Sequence, residues 1–225
     1  MNLTLKESLV TRSRVFSPWT AFYFLQSLLI NLGLGYPFSL LYTAAFTAIL
    51  LLLWRTLPRV QKVLVGISSL VAACYFPFAQ AYGAPNFNTL LALHSTNMEE
   101  STEILTIFPW YSYLVGIFIF ALGVIAIRRK KESEKARWNT FDSLCLVFSV
   151  ATFFVAPVQN LAWGGVFKLK DTGYPVFRFA KDVIVNNNEV IEEQERMAKL
   201  SGMKDTWTVT AVKPKYQTYV VVIGE

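Results

Sequence analysis

Residues 15–54 read VFSPWTAFYFLQSLLINLGLGYPFSLLYTAAFTAILLLLW and carry no formal charge, although Arg14 precedes them and Arg55 follows. A membrane-spanning helix needs roughly 20 apolar residues, so this stretch is long enough for two helices. Between them, Gly33-Leu34-Gly35-Tyr36-Pro37 has the glycines and proline of a turn. The stretch therefore predicts two membrane spans, at about 16–32 and 38–54.

Three further stretches are equally poor in charge and are long enough for one span each, at about 63–78, 111–127 and 143–158. Across the chain, 54% of the residues are hydrophobic and 16% are charged, against about 25% charged in soluble domains. The predicted fold class is an α-helical integral membrane protein. Residues 1–160 form its five-span transmembrane domain, with five transmembrane helices and a polar loop at 79–110.

Lys and Arg are concentrated in alternate segments between the predicted spans. The N-terminal segment has three, the 55–62 loop three and the 128–137 loop six, whereas the turn at 33–37 and the loop at 79–110 have none. The positive-inside rule then predicts the N-terminus inside and the C-terminus outside, which in a bacterial inner membrane is the periplasm. Because the net charge of +6 is explained by these span ends, we expect no nucleic-acid partner.

Residues after the fifth span are more polar. Residues 161–215 are predicted to be a periplasmic linker, with a surface helix at about 175–200 that the run Asn186-Asn187-Asn188 should weaken. The final residues, Tyr219-Val220-Val221-Val222-Ile223-Gly224-Glu225, resemble a strand buried on both faces. We interpret residues 216–225 as the first strand of an α/β catalytic domain whose remainder is missing, with Glu225 offering a carboxylate ligand to a divalent cation.

The loop at 79–110 carries the other candidate site. Asn86 or Asn88 could cap a helix in which Thr96 and Glu100, four residues apart, share one face. A hydroxyl and a carboxylate there would suit a lipid headgroup that bears an amine. The alternative is that Glu100 and the neighbouring acids form a solvated face. His94, the single histidine, is expected to be structural or exposed, and no Ser–His–acid pattern indicates a hydrolase.

These features together are similar to those of the bacterial phosphoethanolamine transferases. The resemblance rests on five spans, a Thr-Asn-x-x-Glu loop after the third span, a surface helix and a strand ending in Gly-Glu, and within the family it is closest to members that modify osmoregulated periplasmic glucans. It implies a periplasmic α/β domain of the alkaline phosphatase and sulfatase superfamily. It also implies transfer of phosphoethanolamine from phosphatidylethanolamine to a glycan or glycolipid acceptor, by a zinc-activated threonine.

The resemblance also implies roles for individual residues. Glu225 takes the place of a zinc ligand, and Thr96 and Glu100 take the places of residues that bind the headgroup. The family has an Asn one turn before that Thr, where this chain has Ala92; Asn88 or Asn97 could take its role. Because the threonine nucleophile and the remaining zinc ligands follow Glu225 in the family, this chain by itself is expected to be inactive.

A different class of protein is also compatible with the pattern of spans. The chain could be a non-enzymatic five-span adaptor or assembly protein of the inner membrane, with a small periplasmic tail. The terminal strand argues against this interpretation, because an unpaired hydrophobic edge is a liability in a protein that does not need it. A transporter is a weaker third alternative, because no span carries a clearly intramembrane ionisable residue.

Overall fold

A computed structural model of the protein describes residues 18–97, 103, 106–129, 138–168 and 171–202. These residues form no β-strand, and their helices are α1 (Pro18–Gly33), α2 (Leu40–Thr56), α3 (Pro58–Tyr82), α4 (Phe87–Ser95), α5 (Trp110–Arg128), α6 (Thr140–Ala162) and α7 (Pro175–Ser201). The prediction of a helical protein is therefore confirmed for this part of the chain. The predicted strand at 216–225, the linker from 203 onward and Glu225 lie outside the described residues.

Five helices coincide with the five apolar segments predicted from the sequence. By length and composition, α3, α5 and α6 are each able to cross a membrane, within the part of the chain that the structure describes. Helix α2 is apolar but has 17 residues, and α1 has 16 from Pro18 onward. The structure therefore supports a membrane protein with three helices of spanning length.

The chain forms two units, 1–190 and 191–225. Helices α1 to α6 and the first part of α7 belong to the first unit. In the second unit, residues 191–202 complete α7 and carry an exposed ion pair between Arg196 and Glu193. A surface pair of this kind contributes little to stability.

Side-chain contacts define the directions of the packed helices. Tyr23 and Gln26 of α1 meet Gln61 and Ser69 of α3 in the same order, so α1 and α3 run parallel. The other helices alternate in direction: α2 is antiparallel to α1, α5 to α3, and α6 to α2. One end of the bundle therefore contains the α1–α2 turn and the end of α3, and the other contains Arg55. We call them the Tyr36 end and the Arg55 end.

Buried polar side chains join the helices inside the bundle. The Gln26 amide donates to the Ser69 hydroxyl at 3.1 Å, and the Asn31 amide donates to Thr43 at 3.0 Å. Gly123 of α5 lies so close to Ser69 that a Cβ atom there would be 2.6 Å from the serine Cβ. Because lipid is as apolar as the helices, the hydrophobic effect does not drive membrane helices together. Close packing at small residues and interhelical hydrogen bonds hold them together instead.

An ion pair fixes the Arg55 end. Arg55 of α2 donates to both carboxylate oxygens of Asp142, which is 3% exposed. The same carboxylate accepts from the Asn139 backbone N–H at 3.0 Å and closes a capping box at the start of α6. Since Asp142 is both paired and hydrogen-bonded, its burial is compensated. Arg129 lies close to this end, with its guanidinium 4.1 Å from the Trp19 ring centroid and 4.4 Å from that of Trp54.

Helix α3 extends past the end predicted for it. The expected span ended at Phe76-Pro77-Phe78, but the helix continues through Pro77 to Tyr82. Proline removes one helical hydrogen bond, here the bond to the Ala73 carbonyl four residues earlier. Gly116 of α5 approaches that oxygen so closely that a Cβ would lie 2.6 Å from it. Packing of the neighbouring helix against the freed carbonyl explains why the proline is tolerated within α3.

A helix is present at the predicted positions 175–200 as α7, and it continues through the asparagine run. The helix is continuous from Pro175 to Ser201. The Asn186 amide donates to the Asp182 carbonyl at 2.6 Å, and the Asn187 side chain pairs with His94 at 2.8 Å. Both asparagine side chains thus form hydrogen bonds while their backbone stays helical, although asparagine has a low helix propensity.

Candidate functional site

Helix α4 begins at a side-chain cap in the loop that joins α3 to α5. Asn86 has an extended backbone, and its side-chain oxygen accepts from the Thr89 backbone N–H at 3.0 Å. The prediction of an asparagine cap is therefore confirmed for Asn86, and Asn88 lies inside the helix. Asn88 is exposed on the surface of α4, where its amide is accessible to a ligand.

The end of α4 corrects the geometry predicted for Thr96 and Glu100. The helix ends at Ser95, and Thr96 is extended, with φ −74° and ψ 128°. The prediction that both residues share one face of a continuous helix is wrong for Thr96. The Ser95 and Thr96 hydroxyls both donate to the Ala92 carbonyl, at 3.0 and 2.5 Å, and such local bonds compete with continuation of a helix. Glu100 lies outside the described residues.

The structure places three of the predicted headgroup residues on one short segment. Asn88 is exposed on α4, Thr96 is half-buried directly after it, and Asn97 is exposed next to Thr96. Ala92 lies one turn after Asn88 on α4, and its carbonyl accepts a hydrogen bond from the Thr96 hydroxyl. The segment therefore offers amide groups and a hydroxyl at a surface, while the metal ligand predicted at Glu225 is not among the described residues.

Helix α7 is attached to the Tyr36 end by a buried tyrosine. The Tyr36 hydroxyl donates to Asp182 Oδ2 at 2.7 Å, and Tyr36 is 5% exposed. Arg178 lies one turn before Asp182, with its Nε 3.5 Å from the same oxygen and its guanidinium 4.8 Å from the Tyr36 ring centroid. The three side chains thus combine a charge-assisted hydrogen bond, an ion pair and a cation–π contact.

Burial and the neighbouring carboxylate keep Tyr36 protonated. Burial raises the pKa of the Tyr36 hydroxyl well above its usual value near 10, and the Asp182 carboxylate raises it further. The residue lies between α1 and α2, outside the helices of spanning length. Tyr36 therefore remains a neutral donor to Asp182 at every physiological pH.

A second set of contacts attaches the segment before α7. Lys181 donates to Asp171 at 2.8 Å, and the Tyr174 hydroxyl donates to the Ser149 carbonyl of α6 at 2.9 Å. Burial raises the pKa of Tyr174 to about 12, so this donor is also neutral at physiological pH. The Tyr174 and Tyr42 rings lie edge to face, with centroids 5.9 Å apart. The chain is thus fixed to α2 and α6 immediately before α7 begins.

The α4 segment and α7 are connected through the single histidine. His94 Nε2 lies 2.8 Å from the Asn187 side-chain oxygen, in an exposed contact. Tyr75 of α3 supports the same region, since its hydroxyl donates to the Gly83 carbonyl at 2.9 Å and its ring meets Phe179 of α7. The expectation of a structural or exposed histidine agrees with this bridge. At the Tyr36 end, α4 and the first part of α7 therefore form one polar surface, which we call the α4–α7 surface.

The described residues of this surface present hydrogen-bonding groups, and their serine and histidine have separate partners. The Ser95 hydroxyl is bonded to a backbone carbonyl and His94 is bonded to Asn187, so the structure brings no serine–histidine pair together there. Among the described residues, no group of three or more His, Cys, Asp or Glu could hold a metal ion. Asn88, Thr96 and Asn97 can donate and accept hydrogen bonds, which suits a polar headgroup.

Sequence reasoning did not identify the contacts that hold α7 in place. Arg178 and Asp182 are four residues apart in a predicted helix, so their ion pair could have been expected. Nothing in the sequence indicates that Tyr36, which is 146 residues from Asp182, is its partner. The bridge from His94 to Asn187 was likewise visible only in three dimensions.

Comparison with known proteins identifies two similar chains. No protein-family model matches this chain, and no solved structure matches it with significance. The chain is 99% identical over all 225 residues to the phosphoethanolamine transferase OpgE of Escherichia coli, and the match covers 43% of that protein. It is 22% identical over 157 residues to a putative phosphoethanolamine transferase of Haemophilus influenzae, covering 70% of this chain and 28% of that protein.

The chain thus spans less than half the length of the curated relatives it matches. Both relatives carry the same family name, and the stronger match extends over the whole chain. The resemblance to the phosphoethanolamine transferases that the sequence predicts is therefore confirmed: along its entire length, this chain is similar to part of such a transferase.

Proposed function

We propose that this chain is the membrane part of a phosphoethanolamine transferase of the bacterial inner membrane. The 99% identity along all 225 residues is the observation that carries the proposal. The membrane part has five spans, namely α1, α2, α3, α5 and α6, with the N-terminus in the cytoplasm and the C-terminus in the periplasm. The absence of Lys and Arg from the segments at 33–37 and 79–110, against twelve in the alternating segments, supports this orientation.

The α4–α7 surface then lies at the periplasmic face of the membrane, where it binds the headgroup of phosphatidylethanolamine. Thr96 and the amides of Asn88 and Asn97 provide hydrogen-bonding groups next to the ends of α3 and α5. Glu100 provides a carboxylate for the ethanolamine ammonium. Exposed polar groups at the end of membrane helices are at the depth of lipid headgroups, which supports this assignment.

In the whole protein, a threonine hydroxyl oxygen bonds to the donor phosphorus while the bond from phosphorus to the glycerol oxygen breaks, and diacylglycerol leaves with the bond electrons and the threonine proton. An acceptor hydroxyl on a periplasmic glycan or glycolipid then takes the phosphoethanolamine group and restores the threonine. Zinc is part of this proposal, with Glu225 as one ligand. The described residues do not hold a set of metal ligands, so the contribution that we assign to them is membrane attachment and donor binding.

Transfer by the full-length protein tests the proposal. The protein is placed in vesicles that contain phosphatidylethanolamine with labelled ethanolamine, and label in a glycan acceptor is measured. Loss of a hydrogen bond to the charged headgroup in Thr96→Val or Glu100→Gln should lower transfer roughly tenfold, while zinc content is unchanged. Thr96→Ser should restore most of the transfer.

Thr106→Val is the matched control. The Thr106 hydroxyl is exposed and donates to the Glu103 carbonyl at 2.7 Å, the same type of local bond that Thr96 makes. Its replacement should leave transfer unchanged. Equal transfer by Thr96→Val, Glu100→Gln and Thr106→Val would remove the α4–α7 surface from donor binding, and no label in any acceptor from the unaltered protein would contradict the transferase proposal.

A further inference from the structure

An apolar cavity of about 410 Å³ opens between α3 and α5. Its lining consists of hydrocarbon side chains, aromatic rings and one thiol, including Leu70, Cys74, Pro77, Gly116, Ile117 and Phe120. None of the lining residues carries a charge. A cavity of this composition suits an apolar ligand, because a charged or strongly polar group placed in it would lose hydration without gaining partners.

The backbone explains why a cavity exists at this level. Pro77 leaves the Ala73 carbonyl without its helical donor, and Gly116 packs directly against that oxygen. Because Gly116 has no side chain, the surface of α5 is indented where it packs against Ala73 of α3. The flanking side chains, among them Phe120 and Tyr113, stand on either side of this indentation.

The cavity opens toward lipid rather than toward the centre of the bundle. Ile117 is 64% exposed and Leu70 is 50% exposed, and both lie on helices long and apolar enough to cross a membrane. Pro77 lies five residues before the end of α3 at Tyr82, and Tyr113 lies three residues after the start of α5 at Trp110. The cavity is therefore in the half of the membrane next to the Tyr36 end.

The cavity lies between the two helices whose connecting segment carries the candidate headgroup residues. The segment that joins α3 to α5 is the segment that carries α4 and Thr96. A glycerophospholipid whose headgroup contacts that segment has its acyl chains at the depth of the groove between the same two helices. The polar segment and the apolar cavity thus match the two parts of one amphipathic lipid.

We propose that the cavity between α3 and α5 holds one acyl chain of the phosphatidylethanolamine donor, an inference that rests on the proposed function. The contact is dispersive and involves no charged group. Since the bilayer is as apolar as the cavity, the chain gains little hydrophobic free energy there. The cavity instead orients the donor, so that its headgroup lies at Thr96 rather than at another point on the protein surface.

A photoreactive lipid tests the contact without turnover. The full-length protein is placed in vesicles with a phosphatidylethanolamine that carries a diazirine in the middle of one acyl chain, and cross-linked residues are identified by mass spectrometry. We expect cross-links to concentrate on Leu70, Ile117 and Phe120. A phosphatidylglycerol with the same diazirine chain should label these residues less than the other lipid-facing positions.

Cys74→Phe fills the cavity from an exposed position of α3, and Ala151→Phe adds the same ring to an exposed position of α6. Cys74→Phe should remove the cavity cross-links and, by loss of several dispersion contacts, raise the KM for long-chain phosphatidylethanolamine about threefold with kcat unchanged. The KM for a dihexanoyl donor, whose short chains do not reach the cavity, should not change. Ala151→Phe should change neither readout.

Three results with the lipid probes would overturn the inference. The first is cross-links spread evenly over the lipid-facing helices, and the second is phosphatidylglycerol labelling of the cavity equal to its labelling of the other lipid-facing positions. The third is cavity cross-links that are unchanged in Cys74→Phe. Chain-to-chain products from a photoreactive residue at Ile117 would assign the cavity to a second copy instead. If cavity labelling is specific but no variant or unaltered protein transfers phosphoethanolamine, the proposed function fails while the lipid contact stands.

Discussion

Tyr36 connects the turn between α1 and α2 to a helix 146 positions further along the chain. Its hydroxyl, ring and burial are all used, because it donates to Asp182, carries Arg178 on its ring face and is enclosed by the core. The Asp182 carboxylate is 19% exposed, so water can replace only part of a hydrogen bond lost from Tyr36. Tyr36 therefore helps to hold the first part of α7 in its position.

Tyr36→Phe should loosen the first part of α7 without unfolding the membrane helices. Removal of a hydrogen bond to a charged group costs about 1.5–3 kcal/mol, and that loss should appear as faster amide hydrogen exchange over residues 175–190. Asp182→Asn, which keeps an acceptor oxygen, should have a smaller effect. Unchanged exchange in Tyr36→Phe would mean that other contacts suffice to hold α7.

The same bond predicts a response to alkaline pH. The folded pKa of Tyr36 is raised above the value of about 10 in the unfolded chain. Its contribution is therefore fully present below pH 10 and is lost as the pH rises through the higher folded pKa. Protection of residues 175–190 should decrease above pH 10 in the unaltered protein and much less in Tyr36→Phe.

Two glycines in neighbouring turns allow the effect of backbone strain to be distinguished from that of steric overlap. Gly35 has φ +80°, and a Cβ there would lie 2.4 Å from the Gly83 carbonyl carbon and oxygen. Gly83 has φ +72°, but no atom lies within 4 Å of where its Cβ would be. Only Gly35 combines a left-handed backbone with close approach of another segment.

Gly83→Ala should cost about 1–3 kcal/mol from its backbone conformation, and Gly35→Ala should cost more because the turn must also move away from the end of α3. The thermal denaturation midpoint of each variant in detergent measures the difference. Equal midpoints would show that the contact between these two turns is not as close in solution.

Among the helices, apolar segments were the easiest feature to predict from the sequence. The charge-free runs at 16–32, 38–54, 63–78, 111–127 and 143–158 each correspond to a helix, because burial in lipid requires long apolar sequences. The end predicted for the third segment, at Phe78, came too early, because the helix continues to Tyr82 and Gly116 of α5 packs against the carbonyl that Pro77 leaves free. The helical position predicted for Thr96 was also wrong, because the helix ends at Ser95, where the Ser95 and Thr96 hydroxyls donate to the Ala92 carbonyl.

The headgroup-binding roles of Asn88, Thr96 and Asn97 stay predictions. The structure places these three residues on one segment, with Asn88 and Asn97 exposed. The partners that hold this segment against α7 come from residues far apart in the chain, such as His94 and Asn187. Spacing along a sequence carries no information about such pairs unless they lie on one element.

The contact between α3 and α5 can be tested with two glycines of the same interface. A Cβ at Gly116 would lie 2.6 Å from the Ala73 backbone oxygen, whereas a Cβ at Gly66 would meet only the tip of Ile127 at 3.1 Å. Gly116→Ala should therefore separate the helices and lower the denaturation midpoint. Gly66→Ala should be neutral or stabilising, by up to about 1 kcal/mol of helix propensity. Greater damage from Gly66→Ala would contradict the packing described for this interface.

For the whole molecule, the proposed donor-binding role depends on which side of the membrane holds the α4–α7 surface. The three helices of spanning length, α3, α5 and α6, alternate in direction, and α1 and α2 add a further antiparallel pair at their side. With all five as spans, the segment that carries Thr96 and the start of α7 face the same side. That side must be the periplasm for the segment to meet both a donor headgroup and a periplasmic acceptor.

Cysteine accessibility in intact cells tests this claim most directly. In a Cys74→Ala, Cys145→Ala background of the full-length protein, Asn97→Cys is compared with Lys131→Cys by reaction with a membrane-impermeant maleimide. We predict that position 97 reacts in intact cells and that position 131 reacts only after the membrane is permeabilised. Reaction at position 131 but not at position 97 in intact cells would reverse the orientation and contradict the donor-binding role of the α4–α7 surface.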